Sequence, residues 1–355
     1  MKVLKVLALT KYGLMGASSR VRFFQYFPCL QQAGIQITVQ PLLSDELLLA
    51  RYQRGAYGWW TLLRAYACRL RAMLQRHRFD VLWIEKEALP WWPLSLERAF
   101  LRGVPYVLDY DDAIFHNYDL SSSSWVRRLY GRRIDGLMAE ARLILAGNRY
   151  LTARATTAGA EHVVHFPTVV DLARYASKHR YSVAARPRIV WIGSPSTVPY
   201  LLELADTLVA LTRRQPFTLR VIGGALSMPG VDVELMDWSA ETEVNAIAEC
   251  DIGIMPLRDS PWEQGKCAYK LIQYMACGLP TVASPVGANC DVVVEGETGF
   301  LADTPSVWVD MLVRLLCDVA LRQRLGEAGR ARVEALYCVQ QTAPRLVQLF
   351  SEVAG

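Results

Sequence analysis

The sequence predicts an α/β protein with two consecutive, doubly wound parallel sheets, each covered by helices. Short, continuously apolar runs rich in Val, Ile and Leu alternate with stretches of helical periodicity. The alternation starts again after a polar, basic segment near residue 173. Strands that are apolar on both faces are typical of parallel sheets between two helix layers.

The first half contains six predicted strands, in KVLKVLALT, IQITVQPLL, DVLWIEK, VPYVLDYD, RLILAGN and HVVHFPT. The second half contains RIVWIG, FTLRVIGG, VDVELMDW, DIGIMPL, PTVAS and a strand near GFLAD. Helices are predicted between them, among them 18–34, 123–139, 197–210, 241–250 and 268–277, and the chain is wholly helical from about residue 305.

These elements form two Rossmann-like domains, at 1–172 and 188–335, joined by a linker at 173–187. We expect the last helix, 336–355, to return to the first domain. In open α/β sheets, ligands bind beyond the carboxyl ends of the strands, so we expect a ligand cleft between the domains.

Composition narrows the class of protein. Apolar residues make up 52% of the chain and charged residues 21%, as in folded globular proteins. The eight cysteines include no Cys-x-x-Cys pair, which argues against a zinc site or a disulfide scaffold. The first residues lack a signal-peptide cleavage site, and no apolar run is long enough to span a bilayer. We therefore expect a cytoplasmic protein, with contact to the inner face of the membrane as a further option.

Charge is distributed unevenly along the chain. Residues 1–172 carry 22 Lys and Arg against 14 Asp and Glu, whereas residues 173–355 carry 17 against 20. Residues 51–78 combine seven arginines with Trp59 and Trp60, which predicts either a surface for anionic lipid or a lipid-linked acceptor, or an ordinary helix packed on the sheet. No recognised nucleic-acid-binding module accompanies this charge, so we expect no nucleic-acid partner.

The most informative segment is residues 251–302. Its helix ends in YMACGLP, and TVAS, the turn PVG and EGETGFL follow. Together these motifs resemble the donor-binding core of glycosyltransferase family four, whose members have the GT-B fold. The resemblance covers residues 188–340 well and extends less tightly to GASSRVR and DYDDAIF in the first half. It implies an enzyme that transfers a sugar from a nucleoside diphosphate sugar, UDP-linked, with retention of configuration.

Residue types in this half favour diphosphate binding. Lys270 and Gln273 share one face near the start of helix 268–277, where the helix dipole is positive, and Lys266 precedes them by one turn. Gly193 and Ser194 follow a strand and precede helix 197–210. We predict that these five residues, with Trp238 stacked on the base, bind the donor. Solvated lysines and a core tryptophan are the alternatives.

The chain departs from the family pattern at two positions. The family usually has two glutamates eight residues apart, where this chain has Gly265 and Gln273, and many members carry an Arg and a Lys after the first strand of this domain, where it has WIGSPSTVPYL. These changes keep open a catalytically silent nucleotide-sugar-binding protein.

In the first half, the turn TKYGLMGASSRVRFF places Gly16, Ser19 and Arg20 where strand one meets a helix. It is neither a Walker loop nor a Gly-x-Gly-x-x-Gly fingerprint. We predict that these residues contact the acceptor or the diphosphate.

Carboxylates follow two neighbouring strands of the first domain. Asp109, Asp111 and Asp112 end one, Glu85 ends the other, and His116 lies just beyond the aspartates. We predict that Asp111, Asp112 and Arg20 orient the reacting sugars, and that Asp109, Glu85 and His116 bind sugar. Asp109-Tyr110-Asp111 also matches the metal motif of GT-A transferases, which is the competing enzyme hypothesis. The preferred assignment requires no metal and no cofactor, because Lys270 meets the diphosphate charge.

Overall fold

The computed structural model describes residues 3–175, 181 and 186–355, without the side chains of 52–54. These residues form two compact units. Unit 1 comprises the described residues up to Thr168, together with Gly265–Cys267 and Thr342–Gly355; unit 2 comprises those within Val169–Gln264 and Ala268–Gln341. The predicted linker, 173–187, includes residues 176–180 and 182–185, which lie outside the described residues.

Unit 1 is built on a parallel sheet. Its strands, within the described residues, are β1 (Leu4–Tyr12), β2 (Ile35–Leu43), β3 (Val81–Glu85), β4 (Tyr106–Tyr110), β5 (Leu143–Ala146) and β6 (Val163–His165), in the spatial order β2-β1-β3-β4-β5-β6. Every residue of β3, β4 and β5 is buried, as their continuous apolar runs predict. The register pairs Glu85 with Asp109, so the two carboxylates end adjacent strands.

Helices cover this sheet. They are α1 (Ala17–Arg22), α2 (Phe27–Gln32), α3 (Asp45–Arg54), α4 (Trp59–Leu74), α5 (Leu94–Leu101), α6 (His116–Asp119), α7 (Ser124–Tyr130), α8 (Arg133–Glu140) and α9 (Arg149–Thr157). The predicted helix 123–139 is wrong as one element, because α7 ends before Gly131 and α8 begins at Arg133. Asn148 caps α9 by accepting a hydrogen bond from the Leu151 amide at 2.8 Å.

Unit 2 repeats the plan. Its strands, within the described residues, are β7 (Arg188–Ile192), β8 (Thr218–Ile222), β9 (Asp232–Met236), β10 (Ile252–Met255), β11 (Thr281–Ala283) and β12 (Gly299–Leu301), in the order β12-β11-β10-β7-β8-β9. All the pairings are parallel. The prediction of two doubly wound parallel sheets is confirmed.

The helices of the second half are α10 (Val198–Leu202), α11 (Ala205–Thr212), α12 (Glu243–Ala248), α13 (Pro261–Gln264), α14 (Tyr269–Ala276), α15 (Asn289–Val292), α16 (Pro305–Cys317), α17 (Val319–Leu336) and α18 (Val339–Ala354). The predicted helix 197–210 is wrong: a 3-10 turn at Pro195–Thr197 precedes two short helices. Helix α14 ends as predicted, because Gly278 adopts φ 77° and Pro280 follows.

All of α18 except its first three residues belongs to unit 1. Thr342 Oγ1 lies 2.8 Å from the Tyr26 hydroxyl, and the Phe350 ring meets the Trp83 ring edge-on at 5.1 Å. Phe350 and Trp83 are fully buried. The last turns of the chain therefore complete the core beneath β3.

Candidate functional site

A group of charged residues lies at the carboxyl ends of β1, β3 and β4 in unit 1. Ser19, in α1, donates its hydroxyl to Glu85 Oε2 at 2.6 Å, and Glu85 Oε2 also accepts the Lys11 amide at 2.7 Å. Ser18 donates its hydroxyl to Asp111. The predicted turn is therefore held against both strands by its serine hydroxyls, and Ser19 and Glu85 are buried.

Gly16 lies where this turn enters α1. A Cβ atom there would lie 2.3 Å from the Tyr12 Cβ, so close backbone approach requires glycine. Arg20 donates from Nη1 to the carbonyl of Leu14 at 3.2 Å, within the same turn. The structure therefore places Gly16, Ser19 and Arg20 together at one strand end.

Lys86 is the central cation of this group. Its ammonium lies 2.8 Å from Asp111 Oδ1 and 3.6 Å from Asp112 Oδ2. Burial alone would lower the pKa of Lys86, but the two carboxylates raise it above its ordinary value. Lys86 also has φ 65°, a left-handed conformation that is strained for a side-chain-bearing residue. Sequence reasoning named Glu85 and missed its neighbour, because this backbone conformation leaves no mark in the sequence.

The aspartates have different partners. Asp109 is buried and pairs with Arg22 Nε at 2.7 Å, and burial raises the pKa of Asp109 to about 6 although Arg22 opposes the rise. Burial would also raise the pKa of Asp111, but Lys86 and Ser18 hold it below its ordinary value. The Asp112 carboxylate is about a third exposed, and Lys266 Nζ lies 3.9 Å from it. Asp112 is therefore the aspartate that solvent or a sugar hydroxyl reaches most readily.

Lys266 belongs to unit 1 and lies beside Asp112, whereas Lys270 belongs to unit 2. Asn148 holds the Lys266 carbonyl at 2.9 Å. The close approach of Ala113 explains why position 265 is glycine and not the glutamate usual in the family. A Cβ at Gly265 would lie 2.4 Å from the Ala113 Cβ and 2.7 Å from the Ala113 backbone nitrogen. The position has no room for any side chain unless the backbone moves.

His116 forms hydrogen bonds with Asp119 and Tyr150, and not with the carboxylates described above. Its Nδ1 lies 2.8 Å from Asp119 Oδ1, and its Nε2 lies 2.8 Å from the Tyr150 hydroxyl. The first bond lies within α6, and the second joins α6 to α9. A contact with sugar would require one of these bonds to open.

In unit 2, the carboxyl ends of β7, β8 and β9 come together. A Cβ at Gly223 would lie 2.7 Å from the Gly193 carbonyl oxygen and 3.0 Å from the Trp238 Cβ. Trp238 is half-buried, and its indole N–H donates to Glu243 Oε2 at 2.7 Å. Gly193 and Trp238, both predicted to contact donor, are therefore neighbours across the sheet edge.

Trp191 joins Lys270 to this edge. The Lys270 ammonium lies 5.3 Å from the centre of the Trp191 ring, and a Cβ at Gly193 would touch that ring at 2.5 Å. A cation over an indole face is held there electrostatically. Trp191 was missed because it lies within an apolar strand and is indistinguishable there from core.

Three residues predicted to bind the donor, Gly193, Ser194 and Gln273, use polar groups for hydrogen bonds within the protein. The Gly193 amide donates to the Ile222 carbonyl at 3.0 Å, so it serves the sheet, and Ser194 Oγ lies 2.8 Å from Ser196 Oγ. Gln273 is buried and donates to the Tyr175 hydroxyl at 3.1 Å. A ribose contact at Gln273 would require this bond to open.

Two further observations concern metal and cavity. Among residues 3–175, 181 and 186–355, no three His, Cys, Asp or Glu side chains form a group suited to a metal ion.

A cavity of about 830 Å³ opens at the amino end of β4, lined by residues that include Arg98, Glu140 and Arg142. It lies at the opposite end of β4 from Asp111, so it plays no part in this site.

Comparison with known proteins identifies the second unit. Residues 186–318 match the family model described as glycosyl transferases group 1. This stretch is a group 1 glycosyl transferase domain. Its curated relatives include D-inositol 3-phosphate glycosyltransferase of Xylanimonas cellulosilytica, 30% identical over an alignment of 155 residues that covers 37% of this chain and 35% of that protein. N-acetyl-alpha-D-glucosaminyl L-malate synthase of Bacillus anthracis is 38% identical over 66 residues, 18% of this chain and 17% of that protein.

Solved structures extend the likeness to both units. HepE of Anabaena, in complex with UDP and glucose, has a TM-score of 0.68 at 16% identity, covering 98% of this chain and 100% of that one. Sucrose-phosphate synthase of Thermosynechococcus elongatus has a TM-score of 0.74 at 16% identity, covering 99% of each. The group 1 glycosyl transferase domain thus belongs to a chain with the GT-B fold. The predicted resemblance and fold are confirmed, and nothing supports the GT-A alternative.

Proposed function

We propose that the chain transfers a sugar from a UDP-linked donor to a hydroxyl of a glycan or lipid-linked acceptor, with retention of configuration. The observation that carries the proposal is the grouping of Lys270, Trp191, Gly193 and Trp238 at one strand edge of the group 1 glycosyl transferase domain. The complex of HepE with UDP and glucose supports the choice of nucleotide.

Each residue has a distinct part in this proposal. Lys270 stabilises the charge that grows on the leaving diphosphate, and Trp238, fixed by Glu243, stacks on the base. Asp112, with Asp111 held by Lys86, orients sugar hydroxyls. Catalysis then rests on positioning and on charge stabilisation. No metal is required, since Lys270 meets the diphosphate and Asp109 and Asp111 are engaged by Arg22 and Lys86.

Two measurements test this function. UDP, GDP and ADP are compared by thermal shift, and nucleotide release is followed with a panel of UDP-sugars. A ligand at a hundredfold excess over its Kd stabilises a protein by about 2.7 kcal/mol, so a clear rise in Tm is expected with UDP. No response to any nucleotide at millimolar concentration would remove the proposal. Activity lost to a chelator and restored by manganese would contradict metal independence.

A catalytically silent nucleotide-sugar-binding protein is the second candidate. It is favoured by Gly265, which leaves no room for the family glutamate, and by the buried Gln273. This candidate would be favoured if the chain bound UDP-sugars but neither hydrolysed nor transferred the sugar with any donor and hydroxyl acceptor of the panel.

A further inference from the structure

Unit 1 exposes tryptophan and leucine side chains on two helices. Trp60 is 69% exposed at the start of α4, beside Trp59 and Leu63, and Trp125 is 70% exposed on α7, beside Leu129. Trp59 and Leu63, like Trp125 and Leu129, are four residues apart and so share a helix face. Single exposed apolar residues are ordinary, but an exposed Trp-Leu pair that recurs on two helices of one unit is not.

Arginines accompany both pairs. Residues 51–78 contain seven arginines and no acidic residue, and residues 120–134 contain four and no acidic residue. Arg64 follows Trp60 by one turn, Arg128 follows Trp125 by three residues, and both arginines are exposed. Each helix therefore presents apolar and cationic groups on adjoining faces.

The segment 90–92 links the two helices. Trp92 stacks on Tyr66 of α4 with ring centres 6.0 Å apart, and the Tyr66 hydroxyl donates to the Pro90 carbonyl at 2.8 Å. The Trp91 ring meets Tyr130, the last residue of α7, at 6.3 Å. Trp91 is more than half exposed and has φ 64°, a strained conformation for a tryptophan. It adds a further exposed tryptophan, in contact with the end of α7.

We infer that Trp59, Trp60, Leu63, Trp91, Trp125 and Leu129, with Arg64 and Arg128, form a tryptophan surface that docks on an anionic lipid bilayer. Tryptophan favours the bilayer interface, and arginine is attracted to anionic headgroups. Charge complementarity selects this occupant, because neither segment contains an acidic residue and both present exposed arginines, among them Arg64 and Arg128, beside the apolar rings. The inference is independent of the transferase activity.

Sedimentation of the whole chain with vesicles tests it. Phosphatidylcholine vesicles with and without phosphatidylglycerol are compared at low and high salt. We expect binding only with phosphatidylglycerol, weakened by salt. Trp60→Ala with Trp125→Ala lowers the partition coefficient on the order of tenfold for each residue, and Arg64→Gln with Arg128→Gln lowers it about fivefold for each.

Matched variants on unit 2, Leu235→Ala and Arg213→Gln, replace exposed residues and should leave vesicle binding unchanged. Circular dichroism and Tm check that each variant is folded. We expect all of them to fold, because the replaced side chains are exposed and contribute little to the core. Absence of binding to anionic vesicles, or unchanged binding by the tryptophan variants, would overturn the inference. Velocity sedimentation tests the alternative that the surface binds a second copy of the chain. A dimer that the tryptophan variants dissociate, with no change in vesicle binding, would also overturn the inference.

Discussion

The ammonium of Lys86 lies 2.8 Å from Oδ1 of Asp111, and both side chains are almost wholly buried. Lys86 directly follows β3 and has a strained φ of 65°, and Asp111 directly follows β4. The pair therefore fixes the ends of two adjacent strands and holds Asp111 ionised.

Replacing Lys86 with methionine should destabilise unit 1 strongly. It leaves a buried carboxylate without its cation, and loss of one partner of a buried pair costs about 3–5 kcal/mol. Urea denaturation measures the free energy of unfolding. Arg214→Met is the control, because the Arg214–Asp310 pair has a similar separation, 2.7 Å, but is more than half exposed. Its loss should cost about 0–1 kcal/mol. Equal effects would show that the burial of Lys86 is unimportant.

The same variant predicts a pH dependence. In the native chain Lys86 and Ser18 hold the pKa of Asp111 below its ordinary value. Its contribution to stability is therefore fully present above the ordinary pKa of an aspartate and is lost as pH falls through the lowered one. Without Lys86, burial raises the pKa of Asp111, and protonation then relieves the unpaired charge. The difference in unfolding free energy between native chain and variant should therefore narrow as pH falls from neutral. A constant difference would contradict this account.

Lys270→Ala should lower turnover more than it weakens donor binding, because the ammonium meets charge that develops as the diphosphate leaves. Loss of such a contact costs about 10²–10³ in kcat. Steady-state kinetics and circular dichroism on one preparation measure both effects. Lys5→Ala, at an exposed position in unit 1, is the control. A folded Lys270 variant with near-normal kcat would exclude this role.

Trp238→Ala should weaken UDP binding by the energy of one stacking contact, about 1–3 kcal/mol, which is roughly 5- to 150-fold in Kd. Trp238→Phe keeps a ring but loses the N–H that Glu243 accepts, so its effect should be smaller. Isothermal titration calorimetry measures Kd, with Trp125→Ala as control. An alanine variant that binds UDP like the native chain would make Trp238 a packing residue.

Gly265→Ala should destabilise the fold by about 1–3 kcal/mol, because the added carbon overlaps Ala113. Gly58→Ala is the matched control, since the nearest atom to its added carbon is the Thr61 hydroxyl at 3.3 Å. Thermal denaturation compares the two. We expect Gly265→Glu, which restores the residue usual in the family, to lose stability without gaining activity. A stable, more active Gly265→Glu variant would refute the packing argument.

Much of the fold was predictable because buried parallel strands are apolar throughout their length. Runs such as Val81–Glu85 and Tyr106–Tyr110 carry that signal, and the carboxylates at their ends follow from the topology. The break within 197–210 was not predictable from periodicity, which continues across the turn between α10 and α11. Partners distant in sequence were also hidden: Gln273 with Tyr175, and Lys86 with Asp111, depend on tertiary packing.

The return of α18 to unit 1 bears on how the protein is made. Domains generally fold as units during synthesis, the N-terminal one first. Here Phe350 packs on Trp83 and Thr342 on Tyr26, so the core of the earlier unit stays open until the whole of the later unit has been translated. Of the two units, the one whose translation starts earlier is thus the one completed later. A nascent chain stalled before Thr342 would leave the Trp83 ring without its Phe350 contact, as a ready target for chaperones.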